Sequence, residues 1–281
     1  MQGMSRVRTE DGTELHVEVT GTGSPVLFIH EFAGDVRQWE RQVRRLSRTH
    51  CCITYNARGY PPSDVPEDPA RYSQDIVVAD ALAVLAAVTD GPAHIVGHSM
   101  GAYTALHLGI RHPERCLSVV AAGVGFGSDP GERETLLVQM AETGRMFRDL
   151  PMAASAERYA AAPMRRAFAA KDPRGFAEFV GWLSEHSPLG HALTMENLQM
   201  KRPTLQDMAD GLKTFAPPLL VIAGDEDFPC IEGSLMIKRL APQSGLLVMP
   251  HTSHMMPTEE PEAFTAAITD FIATADARRH G

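Results

Sequence analysis

The chain has 281 residues, of which 44% are hydrophobic and 22% charged, with a formal net charge of −9. That length buries a large core without disulfides or metals, and the acidity argues against the basic face that a nucleic-acid binder needs. The longest uninterrupted apolar run, residues 81–88, falls far short of the ~20 residues that span a bilayer.

In chain order, residues 6–9, an Asp11-Gly12 turn and residues 15–19 alternate in polarity and predict a hairpin. After the turn cluster Gly21-Thr22-Gly23-Ser24-Pro25 comes a continuous apolar run over 26–30. Such runs suit strands buried on both faces, as in a parallel sheet. Further runs lie at 51–55, 94–96, 117–122, 219–223 and 246–249. Between them helices are expected over 39–46, 74–88, 100–111 and 261–273, the last with Phe264, Ile268, Phe271 and Ile272 as its core stripe. Strands alternating with helices predict an α/β fold with a mostly parallel sheet wrapped by helices.

From about 128 to 213 the alternation stops, and only helical patterns remain, at 132–142, 153–162, 173–185 and 191–200. This stretch reads as an all-helical cap (128–213) inserted into an α/β core made of 1–127 and 214–281. No repeat or low-complexity tract interrupts it. The N-terminal residues carry no apolar signal-peptide core. Cys51, Cys52, Cys116 and Cys230 show no C-x-x-C spacing. Buried thiols in a reducing cytoplasm are therefore expected.

The chemistry-bearing motif is His94-Ile95-Val96-Gly97-His98-Ser99-Met100-Gly101, an apolar strand joined to a helix through G-H-S-M-G. A serine nucleophile in a strand-to-helix turn needs a strained backbone and small neighbours, which Gly97 and Gly101 provide. Ser99 would then stand at the carboxyl end of the sheet, with a helix N-terminus aimed at any developing oxyanion. His98 is expected to be a packed or hydrogen-bonded structural histidine.

With these residues in place the sequence resembles the α/β-hydrolase fold family, in its serine-nucleophile esterase and lactonase branch, over nearly the whole chain. The resemblance implies the chain order serine, acid, histidine. The family's acid usually sits three residues after the glycine ending its strand; in Gly224-Asp225-Glu226-Asp227-Phe228-Pro229 that residue is Asp227, with Asp225 as competitor. Its histidine precedes an E-x-P helix start, as His254 does Glu259 and Pro261, with His251 as competitor. The run Val26 to Gly34 looks like the family's H-G-x oxyanion loop, which implies the N–H groups of Phe32 and Met100 as the oxyanion hole. The usual glycine of that loop is Glu31 here. Its carboxylate either faces the pocket and touches substrate, or turns away and anchors the loop through a basic or backbone partner, Arg58 being one candidate. Residues 55–63 resemble the family's D-x-R-G-x-G-x-S turn, with Asn56 for the aspartate and Arg58 tied into a polar turn.

The implied activity is acyl transfer to Ser99, with His254 as base and Asp227 holding its tautomer, and with no metal or organic cofactor. A serine at the elbow disfavours epoxide hydrolases and haloalkane dehalogenases, which use aspartate there. C–C bond hydrolases of ring-fission products usually carry a cap arginine and a tryptophan beside the catalytic histidine, where this chain has Met255. They stay open as an alternative, as do enol-lactone hydrolysis and perhydrolysis. A non-enzymatic binding role fits poorly, because relatives of that kind typically lack the serine or histidine. Phe126, Met140, Met146, Phe147, Phe168, Trp182 and Met195 are candidates to line an apolar pocket under the cap, Phe126 and Trp182 foremost. The expectation is a cytoplasmic carboxylic ester or lactone hydrolase acting on a small molecule. No nucleic-acid or membrane partner is expected, and homo-oligomer formation is left open.

Overall fold

The computed structural model describes residues 2–128 and 130–280. Eight strands form one sheet in the order β1-β2-β4-β3-β5-β6-β7-β8. They are β1 (Gln2–Arg8), β2 (Glu14–Thr20), β3 (Ser24–Ile29), β4 (His50–Tyr55), β5 (Ala93–His98), β6 (Cys116–Ala122), β7 (Leu219–Gly224) and β8 (Gly245–Met249). The β1–β2 hairpin is antiparallel, with Val7 opposite Leu15, and β2 pairs antiparallel with β4. From β4 to β8 every pairing is parallel.

The apolar runs are continuous because successive side chains enter opposite faces and both faces are covered. Leu27 and Ile29 of β3, Ile95 of β5 and Val119 of β6 join one core. Val26, Phe28, Val96 and Val120 join the other, with Trp39, Leu46, Phe264, Ile268 and Ile272. The second core is closed by α1 (Glu40–Leu46) and the C-terminal helix (Pro261–His280). The first is covered by α2 (Gln74–Val88) and α3 (Met100–Arg111). Ser73 caps α2, accepting the Ile76 N–H at 3.3 Å.

β6 and β7 are neighbours, with Val119 opposite Leu219. The chain between them is helical: α4 (Arg133–Asp149), α5 (Met152–Ala160), α6 (Arg166–Lys171), α7 (Pro173–Ser184), α8 (Pro188–Leu193) and α9 (Ala209–Lys213). The helix expected over 191–200 is the end of α8 running into a π-helical turn, Thr194–Gln199. The expected final helix extends further, to His280. One long helix was not anticipated: α10 (Phe228–Leu240), which starts at Asp227 with Pro229 in its first turn. A short α11 (Met256–Glu259) precedes α12 (Pro261–His280). No helix among the described residues is long and apolar enough to cross a membrane.

Candidate active site

The turn from β5 into α3 holds Ser99 at φ 52° and ψ −109°. A non-glycine residue is rarely found there, and such strain persists only where the surroundings over-determine it. Here they do. The Ser99 N–H is tied to the Ala122 carbonyl of β6 at 2.8 Å, and the Ala102 and Tyr103 N–H groups bond the Ser99 carbonyl. A Cβ on Gly97 would lie 2.2 Å from the Gly101 carbonyl oxygen, and one on Gly101 2.1 Å from that of Ile29. The turn closes only with glycine at both places. Ser99 itself is partly exposed.

Asp227 ends the β7 turn and His254 lies in the loop after β8. Both side chains are buried, and His254 Nδ1 is 2.7 Å from Asp227 Oδ2. The carboxylate accepts, so Nδ1 carries the proton and Nε2 presents a lone pair. The competitors lie elsewhere. Asp225 accepts the Thr252 N–H at 3.0 Å, and N–H groups of His251 and Thr252 hold its carboxylate below the usual range. His251 is exposed, at φ 51°. The His254 N–H reaches the Met164 carbonyl of the helical insertion at 3.3 Å.

Cys230 Sγ lies 3.9 Å from His254 Nδ1. Asp227, Cys230 and His254 are thus a group whose ligand atoms fall within 4.8 Å of one another. Burial, with the Asp227 carboxylate beside it, pushes the Cys230 thiol well above its ordinary range.

Phe32 is buried in the loop after β3, its ring edge-on to His191 at 4.7 Å and to Phe147 at 5.8 Å. Its carbonyl accepts the Tyr60 hydroxyl at 2.8 Å. Among the described residues no acceptor takes the N–H of Phe32 or of Met100. Glu31 is buried too, but its partner is not Arg58. Arg58 is occupied by Asp80 and Asp11, each at 2.7 Å. Glu31 Oε2 instead stands 3.8 Å from Nη2 of Arg165, a residue of the helical insertion that is 1% exposed. The guanidinium lies over the Tyr159 ring at 4.3 Å, and among the described residues its nitrogens make no well-formed hydrogen bond.

The two foremost pocket-lining candidates lie in other places. Phe126 lines a narrow cleft with Tyr103, Met140 and Arg202. Trp182 stacks against Arg37 at 5.6 Å in a surface groove with Phe168 and Phe179. Neither cleft is lined by Ser99, Asp227 or His254. Arg165 was missed because the Arg165-Arg166 pair reads as exposed helical charge, and nothing local signals its burial.

A family profile described as alpha/beta hydrolase fold matches residues 24–261. The chain is 28% identical to a 2-hydroxymuconate semialdehyde hydrolase of Pseudomonas sp., covering 95% of this chain and 93% of the relative. It is 26% identical to a 2-(acetamidomethylene)succinate hydrolase of Mesorhizobium japonicum, covering 92% and 91%. A shorter match, to a hydrolase of Bacillus subtilis without assigned activity, spans 38% of that protein. Among solved structures, a thermophilic esterase from Thermogutta terrifontis with malate bound superposes with a TM-score of 0.81 at 26% identity, over 97% of this chain and 99% of that one. With its family profile, its eight-stranded sheet and these relatives, the chain belongs to the alpha/beta hydrolase fold family of hydrolytic enzymes.

Proposed function

We propose that this hydrolase cleaves a carboxylic ester or lactone through an acyl-enzyme on Ser99. The observation that carries the reading is a strained serine at the carboxyl end of β5, with a buried His254–Asp227 pair bonded at 2.7 Å. His254 Nε2 takes the Ser99 proton as Oγ bonds to the carbonyl carbon. The N–H groups of Phe32 and Met100 receive the oxyanion. Collapse breaks the C–O bond, and the leaving oxygen takes the proton from His254. Water then gives a proton to His254 as its oxygen bonds to the acyl carbon, the bond from that carbon to Ser99 Oγ breaks, and Oγ takes the proton back from His254 as the acid leaves.

The substrate carries a negative group. Arg165 supports this: a buried guanidinium with five donors and a counter-charge no closer than 3.8 Å is poised for a second anion. The relatives' names agree in kind, a succinate and a muconate semialdehyde, and the esterase structure holds malate. The helical insertion, residues 128–213, then acts as the cap that carries this arginine. Hydrolysis of a C–C bond in a ring-fission product is the second reading. Arg165 favours it, and Met255 in place of the tryptophan beside the histidine does not.

A fluorophosphonate probe tests the nucleophile, and paired substrates test the class. Wild-type protein should label at Ser99 and should prefer carboxylate-bearing aryl esters and lactones over their neutral methyl esters. Ring-fission dienones run in the same panel separate the second reading. Failure to label overturns the serine mechanism, and indifference to the substrate's charge overturns the role of Arg165.

A further inference from the structure

Gln38 sits in the short helical turn Val36–Trp39 that follows the Glu31–Phe32 loop, opened by Asp35 accepting the Arg37 N–H at 2.7 Å. Its side chain is buried and bonded at both ends. Oε1 accepts the Glu31 backbone N–H at 3.1 Å, and Nε2 is 3.0 Å from Nδ1 of His98. A backbone N–H can only donate, so the Gln38 amide is oriented without ambiguity and Nε2 must donate to His98. His98 Nδ1 is therefore the acceptor nitrogen, and the ring proton lies on Nε2. That proton points to the backbone carbonyl of His254, 2.7 Å away. Each donor in the chain meets an acceptor.

We infer that Gln38 and His98 are positioning residues, forming a relay that sets the oxyanion loop and the His254 backbone in register around Ser99. The inference rests on the acyl-transfer reading. One end of the relay holds the residue before Phe32, whose N–H is the proposed oxyanion donor. The other holds the carbonyl of the proposed base. His98 immediately precedes the nucleophile, so all three parts share one chain of bonds. His98 stays a neutral imidazole, 5.1 Å ring to ring from His254. The charged or titratable groups around it are His254, Arg165 and His30. A cation at His98 would oppose the imidazolium that forms on His254 during turnover.

The conservative variants separate positioning from mere packing. Q38L removes donor and acceptor at similar volume; Q38E keeps the acceptor for Glu31 and loses the donor to His98. With that donor gone, His98 must hold its proton on Nδ1. Either Nε2 then turns a lone pair on the His254 carbonyl, or a second proton makes a cation beside His254. H98Q keeps an amide that can both accept and donate. The measurements are the pH dependence of fluorophosphonate labelling and kcat and KM for an aryl ester. Q38L should lose about 10- to 100-fold in labelling rate and kcat with KM little changed, as misplacement of reacting groups does. Q38E should lower the rate at all pH values or move the acid limb of the profile, and H98Q, unlike Q38L, should keep most of the rate. Nitrogen-15 NMR of the wild-type protein should find His98 as the Nε2–H tautomer. Wild-type protein that labels while Q38L and Q38E match its rate and pH limb overturns the relay alone, as does an Nδ1–H tautomer. Wild-type protein that never labels overturns the acyl-transfer reading and the relay with it.

Discussion

Ser99 is held at φ 52° by bonds to β6 and to its own helix, whether or not its hydroxyl is present. Ser99→Ala should therefore keep the melting temperature while removing on the order of 10⁶ in turnover, because triad members act as a unit. Asp227→Asn should cost about 10⁴ through the wrong imidazole tautomer. Asp225→Asn, which touches only the Thr252 turn, should leave turnover within about tenfold on the same logic. If the two aspartates exchanged effects, the acid would be misassigned. Glu31 belongs at this scale as well. Its carboxylate is the counter-charge of Arg165 inside the protein, and breaking such a buried pair costs about 3–5 kcal/mol. Glu31→Gln should lower the melting temperature, and a dicarboxylate such as succinate should restore more of it than in wild type. Turnover per folded molecule should stay within about tenfold, since the oxyanion is met by N–H donors worth ~3–4 kcal/mol each and not by this carboxylate. A loss of about a thousandfold at unchanged melting temperature would assign Glu31 to the chemistry.

Among the elements, Arg58 ties together three segments that are separate in sequence. It stands in the turn after β4, fully buried, and bonds Asp80 on α2 and Asp11 in the β1–β2 turn. Asn56 fixes the same turn, accepting the Val36 N–H and donating to the Pro61 carbonyl. An aspartate could not make that donation, which accounts for the asparagine. Arg58→Met leaves Asp80 buried without its cation and should cost about 3–5 kcal/mol in urea unfolding. Adding Asp80→Leu should recover much of the loss, while the rate per folded molecule stays unchanged. A single variant as stable as wild type would show that the pair does not hold these elements together. What could be read from sequence divides along the same line. Strands buried on both faces and the elbow glycines carry their signals locally, so β3 to β8 and the turn that holds Ser99 were legible, whereas Asp227 and His254 were singled out only through the family resemblance. Helix α10 was not, because Gly233 and Ser234 break its apolar stripe. Nor were Arg165 and Gln38, whose partners come from remote segments and leave no trace in their neighbours.

Taken as a whole, the molecule keeps His30, His98, His107 and His191 buried and neutral, and this sets its response to acid. Burial pushes His30 and His107 down to about 4, and pushes His98 and His191 well below their ordinary range. In the unfolded chain all of them would titrate near ~6.5. Between that value and about 4 the unfolded state binds protons that the folded state refuses, so stability rises with pH across this window and is lost as pH falls. Each such histidine contributes up to about 1.4 kcal/mol per pH unit. The buried carboxylate Asp35 acts in a different window. Burial alone would raise it, but bonds from His186 and Arg37 hold it below the carboxylate range. Its contribution is complete above ~3.9 and goes only at more acid pH. Acid unfolding should thus begin in the histidine range, before the carboxylates titrate. Urea midpoints at pH 7.5, 6.5, 5.5 and 4.5 should fall steadily from the second value onward. His107→Leu removes one neutral imidazole whose Nε2 has no well-formed hydrogen bond among the described residues, so it should flatten that slope by up to about 1.4 kcal/mol per pH unit. Midpoints that stay level down to pH 5 would mean that the folded protein takes up these protons, and that its buried histidines are charged.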